Sequence, residues 1–549
     1  MILEAFAAAL LFVTPSTADS LADYADRLDA FGFAGQLVVE EDGEVVLDRS
    51  IGLADRRTRA PVTRETIFGL GSITKTFTAA ATLRLVSKGR VHLADRLDAL
   101  LPNVPPDKAA ITVDQLLSHR AGLRLDADLP DEATRDQVVR LILAQPLGWA
   151  PGEGFHYSNI GFDLLAAIVE RRAGTDYDSF VRRELLEPAG MAHTGRAGVA
   201  RLARFPAARG ETEWGEATAL REWPEAWHGT GAGRMVSNAP DLLRWGHALR
   251  DGKVLAPRER DLMFAAHAAQ NDSASYGYGM QRIARTGGSM LYFHGGDVPG
   301  YRSELRIEPA ADRYVVVVTN QDIWGEGFQR RVIGNTLARL AAGEAPRLPP
   351  DATFPLPDDP VLGSWLLPGG GRIEITERDG RMRVAARGQD AIDLFDPREA
   401  LAERAQATRD ARVLLDRAAA RDTSAGGEAM RFLVRGLDRI RARYGPIDSV
   451  EVLGSVTSPF VFQGTRTYFR VHVEAGTRGG YLAFQDGALD DVTLGEDRPA
   501  PILLPAAPLE DGGYATFDLL RSRAVPFALD RSHGIDVLVV GEAVARRAP

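Results

Sequence analysis

The pattern of hydrophobic and polar positions predicts strands at both ends of the first 345 residues and helices between them. Residues 36–39 and 44–47 have strand patterns, and Asp42-Gly43 between them is typical of a two-residue hairpin turn. Further strands are predicted at 303–307 and 314–319. Hydrophobic spacing predicts helices at 72–87, 113–117, 162–171, 177–186, 240–249 and 328–342. We therefore expect one sheet assembled from the N-terminal and C-terminal parts of this region.

A proline-dense segment divides the chain after this region. Residues 346–358 predict a stiff, extended linker, because prolines recur with few apolar neighbours. Beyond it, residues 359–395 predict a short β-rich segment. Residues 396–549 predict an α+β accessory domain, with helices at 398–420 and 428–443 followed by strands at 450–456, 468–474, 481–485 and 489–494. The fold class expected for the whole chain is α+β.

The distribution of lysine along the chain identifies the first candidate catalytic residues. Of the 65 basic residues only four are lysine, at positions 75, 88, 108 and 253, so 61 (65 − 4) are arginine. Lys75 follows Ser72 by three residues, a spacing that places both side chains on one face of a helix. An arginine keeps its proton in a protein, whereas a partly buried lysine can lose it and act as a base. Ser72 and Lys75 therefore predict a serine nucleophile with its own base.

Composition excludes several other classes of function. The net charge of −10, without a dense basic run, argues against a nucleic-acid partner. The absence of cysteine excludes disulfides and thiolate catalysis, and no metal-binding or nucleotide-binding motif occurs, so we expect no metal and no cofactor.

The beginning of the chain favours export. Residues 5–13 are an apolar run of signal-peptide length and Ser16-Thr17-Ala18 offers a cleavage site, so residues 1–20 are a candidate signal peptide and the protein is expected in the periplasm or outside the cell. Glu4 and the lack of a basic residue before the run leave the cytoplasm open. No later stretch is long and apolar enough to predict insertion in a membrane.

Further motifs accompany Ser72 and Lys75 in a fixed order. Tyr157-Ser158-Asn159 precedes a predicted helix, and His294-Gly295-Gly296 leads into a predicted strand. Between them lies the stretch from Gly231 to Leu243, and the segments at 116–123 and 186–191 complete the set. In this order and spacing, residues 25–345 resemble the serine β-lactamase-like hydrolases, which include class C β-lactamases, DD-carboxypeptidases, D-aminopeptidases and related esterases. The resemblance implies a β-lactamase-like catalytic domain at 21–345, with an antiparallel sheet flanked by helices and a helical subdomain.

The resemblance also implies catalytic roles. Ser72 is the expected nucleophile and Lys75 the base that takes its proton, with its amine partly neutral because of desolvation. Tyr157 is expected to pass the proton to the leaving group and later to activate water. Lys75 and Tyr157 are treated as one coupled pair, because the division of roles between them stays open.

Substrate-binding roles follow from the same comparison of motifs. Asn159 is expected to hold Lys75 and a substrate amide. The backbone N–H groups of Ser72 and Asp297 are the expected oxyanion donors. Gly295 and Gly296 would allow close approach of the substrate, and His294 is expected on the substrate side.

The third motif departs from the pattern of β-lactamases. Those enzymes and DD-carboxypeptidases usually carry Lys-Thr-Gly where this chain has His294-Gly295-Gly296. A histidine is mostly neutral at pH 7, so recognition of a substrate carboxylate should weaken by about 1–3 kcal/mol. This favours a hydrolase of small amides, D-amino-acid peptides or esters.

Two alternatives remain open from the sequence: a penicillin-binding DD-carboxypeptidase acting on cell-wall peptides, and a non-catalytic ligand-binding member of the family. The expected partner is a small molecule or short peptide. Neither the oligomeric state nor the role of the C-terminal domain follows from the sequence.

Overall fold

The computed structural model describes residues 16–212, 215–216, 219–322, 330–352, 356–357, 360–378, 380–396, 401–424, 427–458, 464–485, 487–496, 502–509, 512–518, 523–531 and 536–548. Its helices are α1 Thr17–Ala30, α2 Thr74–Ser87, α3 Leu97–Leu100, α4 Val113–Leu117, α5 Arg135–Ala144, α6 Asn159–Ala173, α7 Tyr177–Val181, α8 Glu187–Ala189, α9 Ala239–Arg250, α10 Pro257–Phe264, α11 Arg330–Ala341, α12 Gln389–Phe395, α13 Leu401–Ala419 and α14 Gly427–Tyr444. Each predicted helix overlaps one of these helices, with differences at the start of α2 and the end of α7 that are described below. Residues 328–329 and 398–400 of two predicted helices lie outside the described residues.

The strands up to the proline-rich segment are β1 Gly35–Glu41, β2 Glu44–Ile51, β3 Leu53–Asp55, β4 Ala60–Pro61, β5 Phe68–Gly69, β6 Gly195–Arg196, β7 Glu211–Thr212, β8 Gly215–Glu216, β9 Met235–Ser237, β10 Ala268–Ala269, β11 Ala274–Tyr276, β12 Gln281–Ala284, β13 Met290–Val298, β14 Tyr301–Glu308, β15 Arg313–Thr319 and β16 Gln321–Asp322. Those beyond it are β17 Gly363–Leu366, β18 Arg372–Arg378, β19 Arg381–Arg387, β20 Ile447–Ser458, β21 Gly464–Val473, β22 Gly476–Gln485, β23 Ala488–Glu496, β24 Ile502–Pro508, β25 Tyr514–Asp518, β26 Arg523–Asp530, β27 Val537–Val540 and β28 Ala543–Arg547.

The central sheet joins the two ends of the catalytic region. Its eight strands lie in the order β10-β11-β12-β13-β14-β15-β1-β2, and β1 pairs antiparallel with β15 so that Leu37 lies opposite Val317. This confirms the expectation of one sheet built from N-terminal and C-terminal parts. Asp42 and Gly43 both have positive φ, as a two-residue hairpin turn between β1 and β2 requires.

Helices cover both faces of this sheet. Successive side chains of a strand point to opposite faces, so Val315 and Val317 contact the layer that includes α1 and α11. Val316 and Val318 face the other layer, which contains α2 and α9. Burial on both faces explains the unbroken valine run in β15.

The serine of the first motif lies just before α2 rather than inside it. A 3₁₀ turn at Gly71–Ile73 holds Ser72, and the α-helix begins at Thr74. The predicted helix start at residue 72 is therefore early by two residues, because Gly71 adopts a positive φ of 50° and the chain makes a tight turn there. A π-helical turn similarly replaces the second half of the predicted helix 177–186, from Arg182 to Leu186.

Strands beyond the proline-rich segment form a closed barrel. Its order is β17-β18-β19-β24-β25-β26-β27-β28, and β28 pairs back with β17. The four-stranded sheet β20-β21-β22-β23 and the helices α13 and α14 share a separate apolar cluster. They are inserted in the chain between β19 and β24.

This topology corrects the expected division between 359–395 and 396–549. Strands from both segments complete one barrel, so no structural boundary separates them at residue 395. The reason is that barrel closure depends on pairing between strands more than a hundred residues apart, such as β19 with β24, and hydrophobic alternation does not encode such pairing.

The barrel packs against the layer of the catalytic region that contains α1 and α11. Phe517 of β25 lies with its ring centroid 6.1 Å from that of Phe31, in the same apolar cluster as α1. Arg381 bonds Asp29 at 2.7 Å. These contacts are made on the α1 side of the sheet, opposite the layer that contains α2.

The candidate signal peptide lies mostly outside the described residues, which begin at Ser16. Ser16 caps α1 by accepting a hydrogen bond from the Asp19 N–H, and Leu21 is fully buried against the sheet. Among the helices that the structure describes, none combines the length and the apolar character needed to cross a bilayer.

Candidate active site

Lys75 is the centre of the candidate site. Its side chain is fully buried in the first turn of α2. The amine Nζ donates to Ser72 Oγ at 3.1 Å, to Asn159 Oδ1 at 2.7 Å and to the Ala232 carbonyl at 2.9 Å. Residues from the start of α2, the start of α6 and the loop before β9 therefore meet at one nitrogen.

Burial changes the protonation of this amine. Desolvation lowers the pKa of Lys75 to about 7, although the carboxylates of Asp163, Asp126 and Asp297 oppose the shift. A neutral amine has two N–H donors and one lone pair. With Asn159 and Ala232 accepting the two donors, the lone pair faces the Ser72 hydroxyl, which is the arrangement that a general base requires.

Tyr157 lies on the other side of Lys75. Nζ lies 4.8 Å from the Tyr157 ring centroid. Burial raises the pKa of the Tyr157 hydroxyl above its ordinary range, and the nearby Ser72 side chain opposes this shift. Tyr157 is therefore a neutral phenol near pH 7, able to pass a proton on, whereas Lys75 is the group that can accept one.

The loop before α6 positions Tyr157 and Asn159. Ser158 is the N-cap of α6, where its Oγ accepts from the Gly161 N–H at 3.1 Å. The Ser158 N–H donates to His119 Nδ1 at 3.1 Å, and the His119 ring packs 4.2 Å from the Tyr157 ring. His119 thus holds this loop in place through a hydrogen bond and a ring contact.

Close approach of β13 to the Ser72 turn places the second candidate oxyanion donor. A Cβ atom added to Gly296 would lie 1.7 Å from the Leu70 carbonyl oxygen, and one added to Gly71 would lie 2.5 Å from the Asp297 nitrogen. Only glycine fits at these two contacts. The Asp297 backbone N–H consequently lies beside the turn that carries Ser72, as a pair of oxyanion donors requires.

The hydrogen bonds of His294 limit the role that was expected for it on the substrate side of the site. Its Nδ1 donates to the Gly295 carbonyl at 2.7 Å, so Nε2 is the acceptor and bonds the Tyr276 hydroxyl at 3.0 Å. Burial and the nearby Lys75 lower the pKa of His294 to about 3. The ring is neutral and both nitrogens have protein partners, so it presents no free polar atom to a substrate. The sequence did not reveal the tyrosine that engages it.

Two carboxylates of the site were missed by the sequence analysis. Asp163 is buried and accepts from the Gly229 and Gly231 N–H groups at 2.7 and 3.0 Å. It thereby holds the loop whose Ala232 carbonyl bonds Lys75. Burial raises the pKa of Asp163 to about 6. Its position four residues after Asn159 on α6 was the available signal, since residues at this spacing share a helix face.

The other missed carboxylate is Asp126, whose Oδ1 accepts from Asn159 Nδ2 at 2.9 Å. Asp297, in contrast, was predicted for its backbone alone, and its side chain forms ion pairs with Arg302, at 3.0 Å, and with Arg330. Arg302 is therefore neither a freely solvated residue nor a free cation for a substrate carboxylate.

The fold and the serine–lysine–tyrosine arrangement define this chain as a serine hydrolase of the β-lactamase-like class. It belongs to the beta-lactamase family, because residues 24–339, more than half of the chain, match the family model described as Beta-lactamase. Esterase EstB of Burkholderia gladioli is 31% identical over 317 residues, which cover 50% of this chain and 76% of that protein.

Two further relatives extend the similarity beyond the catalytic region. A penicillin-binding protein of Bacillus subtilis (strain 168) is 25% identical over 397 residues, covering 67% of this chain and 87% of that protein. The solved structure of an octameric penicillin-binding protein homologue from Pyrococcus abyssi has a TM-score of 0.53 at 20% identity, and the match covers 87% of this chain and 98% of that one. This structural match shows the likeness of the fold.

The contact between β13 and the Ser72 turn predicts the effect of a single methyl group. We expect Gly296→Ala to lower the free energy of unfolding by about 1–3 kcal/mol or more, because the added Cβ overlaps the Leu70 carbonyl. Gly148→Ala is the control, since its added Cβ would meet nothing closer than 3.6 Å. Urea unfolding of both variants measures the difference, and equal stability of the two would contradict the packing described here.

The buried Asp163 carboxylate predicts a shift in the pH dependence of Ser72 reactivity. Reactivity should rise with pH as Lys75 loses its proton, with a midpoint near the pKa of about 7. Asp163 favours the ammonium form, so Asp163→Asn lowers the pKa of Lys75 and moves the rising limb to lower pH. The rate of Ser72 labelling by a neutral fluorophosphonate between pH 5 and 9 measures this. A limb that stays in place or moves to higher pH would contradict the coupling.

Proposed function

We propose that the protein hydrolyses small amides, D-amino-acid peptides or esters through an acyl intermediate on Ser72. The observation that carries this proposal is the fully buried Lys75 amine, 3.1 Å from Ser72 Oγ and with a pKa of about 7. A lysine in this state is half-deprotonated at neutral pH, which suits it to accept the proton of a serine hydroxyl. Similarity to an esterase of the same family supports the reaction class.

Each step of acyl transfer can be assigned to a group in the site. Ser72 Oγ attacks the substrate carbonyl carbon while its proton passes to neutral Lys75. The carbonyl oxygen becomes an oxyanion facing the N–H groups of Ser72 and Asp297. As the bond to the leaving group breaks, the Tyr157 hydroxyl gives that group a proton and regains one from Lys75. Water then loses a proton to the same pair and attacks the acyl carbon. The pair returns that proton to Ser72 Oγ as the bond between Oγ and the acyl carbon breaks.

The electrostatics of the site argue against strong recognition of a substrate carboxylate. His294 is neutral where related β-lactamases would carry a cationic lysine, and Arg302 and Arg330 are both paired with Asp297. A carboxylate-bearing substrate would therefore lack a fixed cation at this edge of the site. This supports amide or ester substrates over β-lactams.

The penicillin-binding DD-carboxypeptidase is retained as a second candidate function. The observation in its favour is the similarity to the penicillin-binding protein of Bacillus subtilis, which extends over two thirds of this chain. We also propose export to the periplasm or medium, in line with the apolar run at residues 5–13.

For the domain organisation we propose a catalytic unit at 21–345 and a linker at 346–358. A single unit would follow, consisting of the barrel and its inserted helix-and-sheet layer.

Covalent labelling distinguishes these functions. We expect a fluorophosphonate to add one adduct mass to the intact protein, and Ser72→Ala to abolish that adduct, because Oγ is the attacking atom. A stable, Ser72-dependent penicillin adduct would instead favour the DD-carboxypeptidase. Intact-protein mass spectrometry measures both, and the absence of both adducts would favour a non-catalytic ligand-binding member of the family.

If Lys75 is the base, a positive charge at position 75 is not by itself sufficient to make Ser72 reactive. We expect Lys75→Arg to lose several orders of magnitude in the rate of Ser72 labelling, nearly as much as Lys75→Ala, because a guanidinium does not release its proton. Stopped-flow or quenched labelling provides the rates. A Lys75→Arg variant with labelling close to the parent rate would refute this assignment.

A further inference from the structure

The outer face of α14 carries a row of four arginines. All four are exposed and follow one another at intervals of four residues: Arg431, Arg435, Arg439 and Arg443. A helix turns by about 100° per residue, so these positions span about 120° of its circumference and about 18 Å of its length. We call this set the arginine stripe.

The opposite face of α14 attaches the helix to the protein. Its apolar side chains are buried in the cluster that α14 shares with α13 and the sheet β20-β21-β22-β23: Met430, Leu433, Val434, Leu437 and Ile440. The mean direction of these positions lies about 180° around the helix from that of the arginine stripe. The stripe therefore points away from the sheet, and a partner can contact it without a change in the fold.

The charge of the arginine stripe is not compensated within the described part of the chain. No carboxylate there forms an ion pair with any of its four arginines. Asp438, on the same helix, pairs instead with Arg421 at 3.1 Å and with Arg441 at 2.8 Å. In the whole chain, 75 acidic residues outnumber 65 basic ones, so this face has a potential opposite in sign to that of the protein as a whole.

Exposed apolar side chains lie on the same helical layer. Phe432 is 39% exposed, and the Arg439 guanidinium lies 5.7 Å from its ring centroid. Val413, on the outer side of the neighbouring helix α13, is 57% exposed. Such side chains gain free energy at the boundary between lipid headgroups and acyl chains, whereas contact with a water-soluble polyanion leaves them hydrated. Arginines combined with exposed apolar groups therefore favour a lipid surface.

The shape of the arginine stripe requires an extended partner. The outer side of a helix is convex, and charges spread over about 18 Å do not converge on one small anion. A bilayer with anionic phospholipids presents many phosphates at once, and its negative potential attracts basic residues close to it. This potential falls off within a Debye length of about 10 Å at 0.1 M salt. Acidic residues farther from the bilayer therefore oppose the contact only weakly.

We propose that the arginine stripe and Phe432 form a docking surface for bilayers that contain anionic phospholipids. The inserted helix-and-sheet layer then holds the catalytic region close to a membrane through a peripheral contact that does not span the bilayer. This inference goes beyond the proposed function and does not depend on it, because no residue of the candidate active site belongs to the docking surface.

Sedimentation with lipid vesicles tests this inference. The full-length protein is mixed at low salt with vesicles of phosphatidylcholine, or of phosphatidylcholine with about one third phosphatidylglycerol, and the bound fraction gives a partition coefficient. We expect partitioning onto the anionic vesicles to be stronger by about tenfold or more. Most of this preference should disappear at about 0.5 M salt, where the Debye length falls to about 4 Å. Equal partitioning onto both kinds of vesicle would overturn the proposal.

Two double variants separate the arginine stripe from an effect of net charge. Arg435→Gln with Arg439→Gln should lower partitioning onto the anionic vesicles about five- to thirtyfold. Arg140→Gln with Arg258→Gln removes the same charge from exposed positions of the catalytic region, and should leave partitioning within about twofold of the parent value. Urea unfolding checks that both variants remain folded. An equal decrease in the two variants would overturn the role of the stripe.

Phe432→Ser distinguishes a lipid surface from a soluble polyanion. It removes apolar contact but no charge, so it should lower partitioning onto the anionic vesicles about three- to tenfold and leave binding to polyglutamate unchanged. Polyglutamate binding as strong as vesicle binding, with no effect of Phe432→Ser on either, would overturn the lipid assignment in favour of an anionic polymer. Fluorophosphonate labelling of Ser72 should be unchanged in all these variants, so failure of docking is distinguished from failure of the proposed hydrolase.

Discussion

Burial of one amine governs the architecture of the site. Lys75 is withdrawn from solvent at the start of α2, and its nitrogen is bonded by groups from α6 and from the loop before β9 as well as by Ser72. Desolvating an ammonium group is costly, and the cost appears here as a pKa lowered to about 7. The chain places arginine at 61 of its 65 basic positions. An arginine would not serve at position 75 under the proposed mechanism, because that mechanism requires a cation that releases its proton.

The sheet and the helices matter to this amine because they bring its partners together. Pairing of β1 with β15 joins the N-terminal and C-terminal parts of the central sheet. In this sheet β13 lies so close to the Ser72 turn that only glycine fits at positions 71 and 296. On the other side, Asp163 fixes the loop that supplies the Ala232 carbonyl. Carboxylates surround the amine while the histidine of the third motif stays neutral.

Much of the catalytic region was predictable from local sequence. The hairpin at Asp42-Gly43, the valine strand β15 and helices such as α2, α6 and α9 follow from turn chemistry and periodicity, and the order of motifs indicated which side chains would converge. Periodicity did not predict α1, α5 or α10. Features that depend on distant pairing were not predictable. Closure of the barrel by β17 and β28, the bond from Tyr276 to His294 and the contact of Asp126 with Asn159 each join residues whose proximity arises only after folding. The start of α2 was misplaced because a single positive φ at Gly71 interposes a 3₁₀ turn.

The state of the Lys75 amine can be measured directly, since the chain has only four lysines. Selective labelling of lysine with ¹³C at Cε gives four NMR signals, and Lys75→Arg identifies the one that belongs to Lys75. This account predicts that the Lys75 signal titrates with a midpoint near pH 7, as expected for an amine whose pKa is lowered to about 7 by burial. A Lys75 signal that shows no titration below pH 9 would contradict the account, because the amine would then be an ammonium group at neutral pH and could not serve as the base for Ser72.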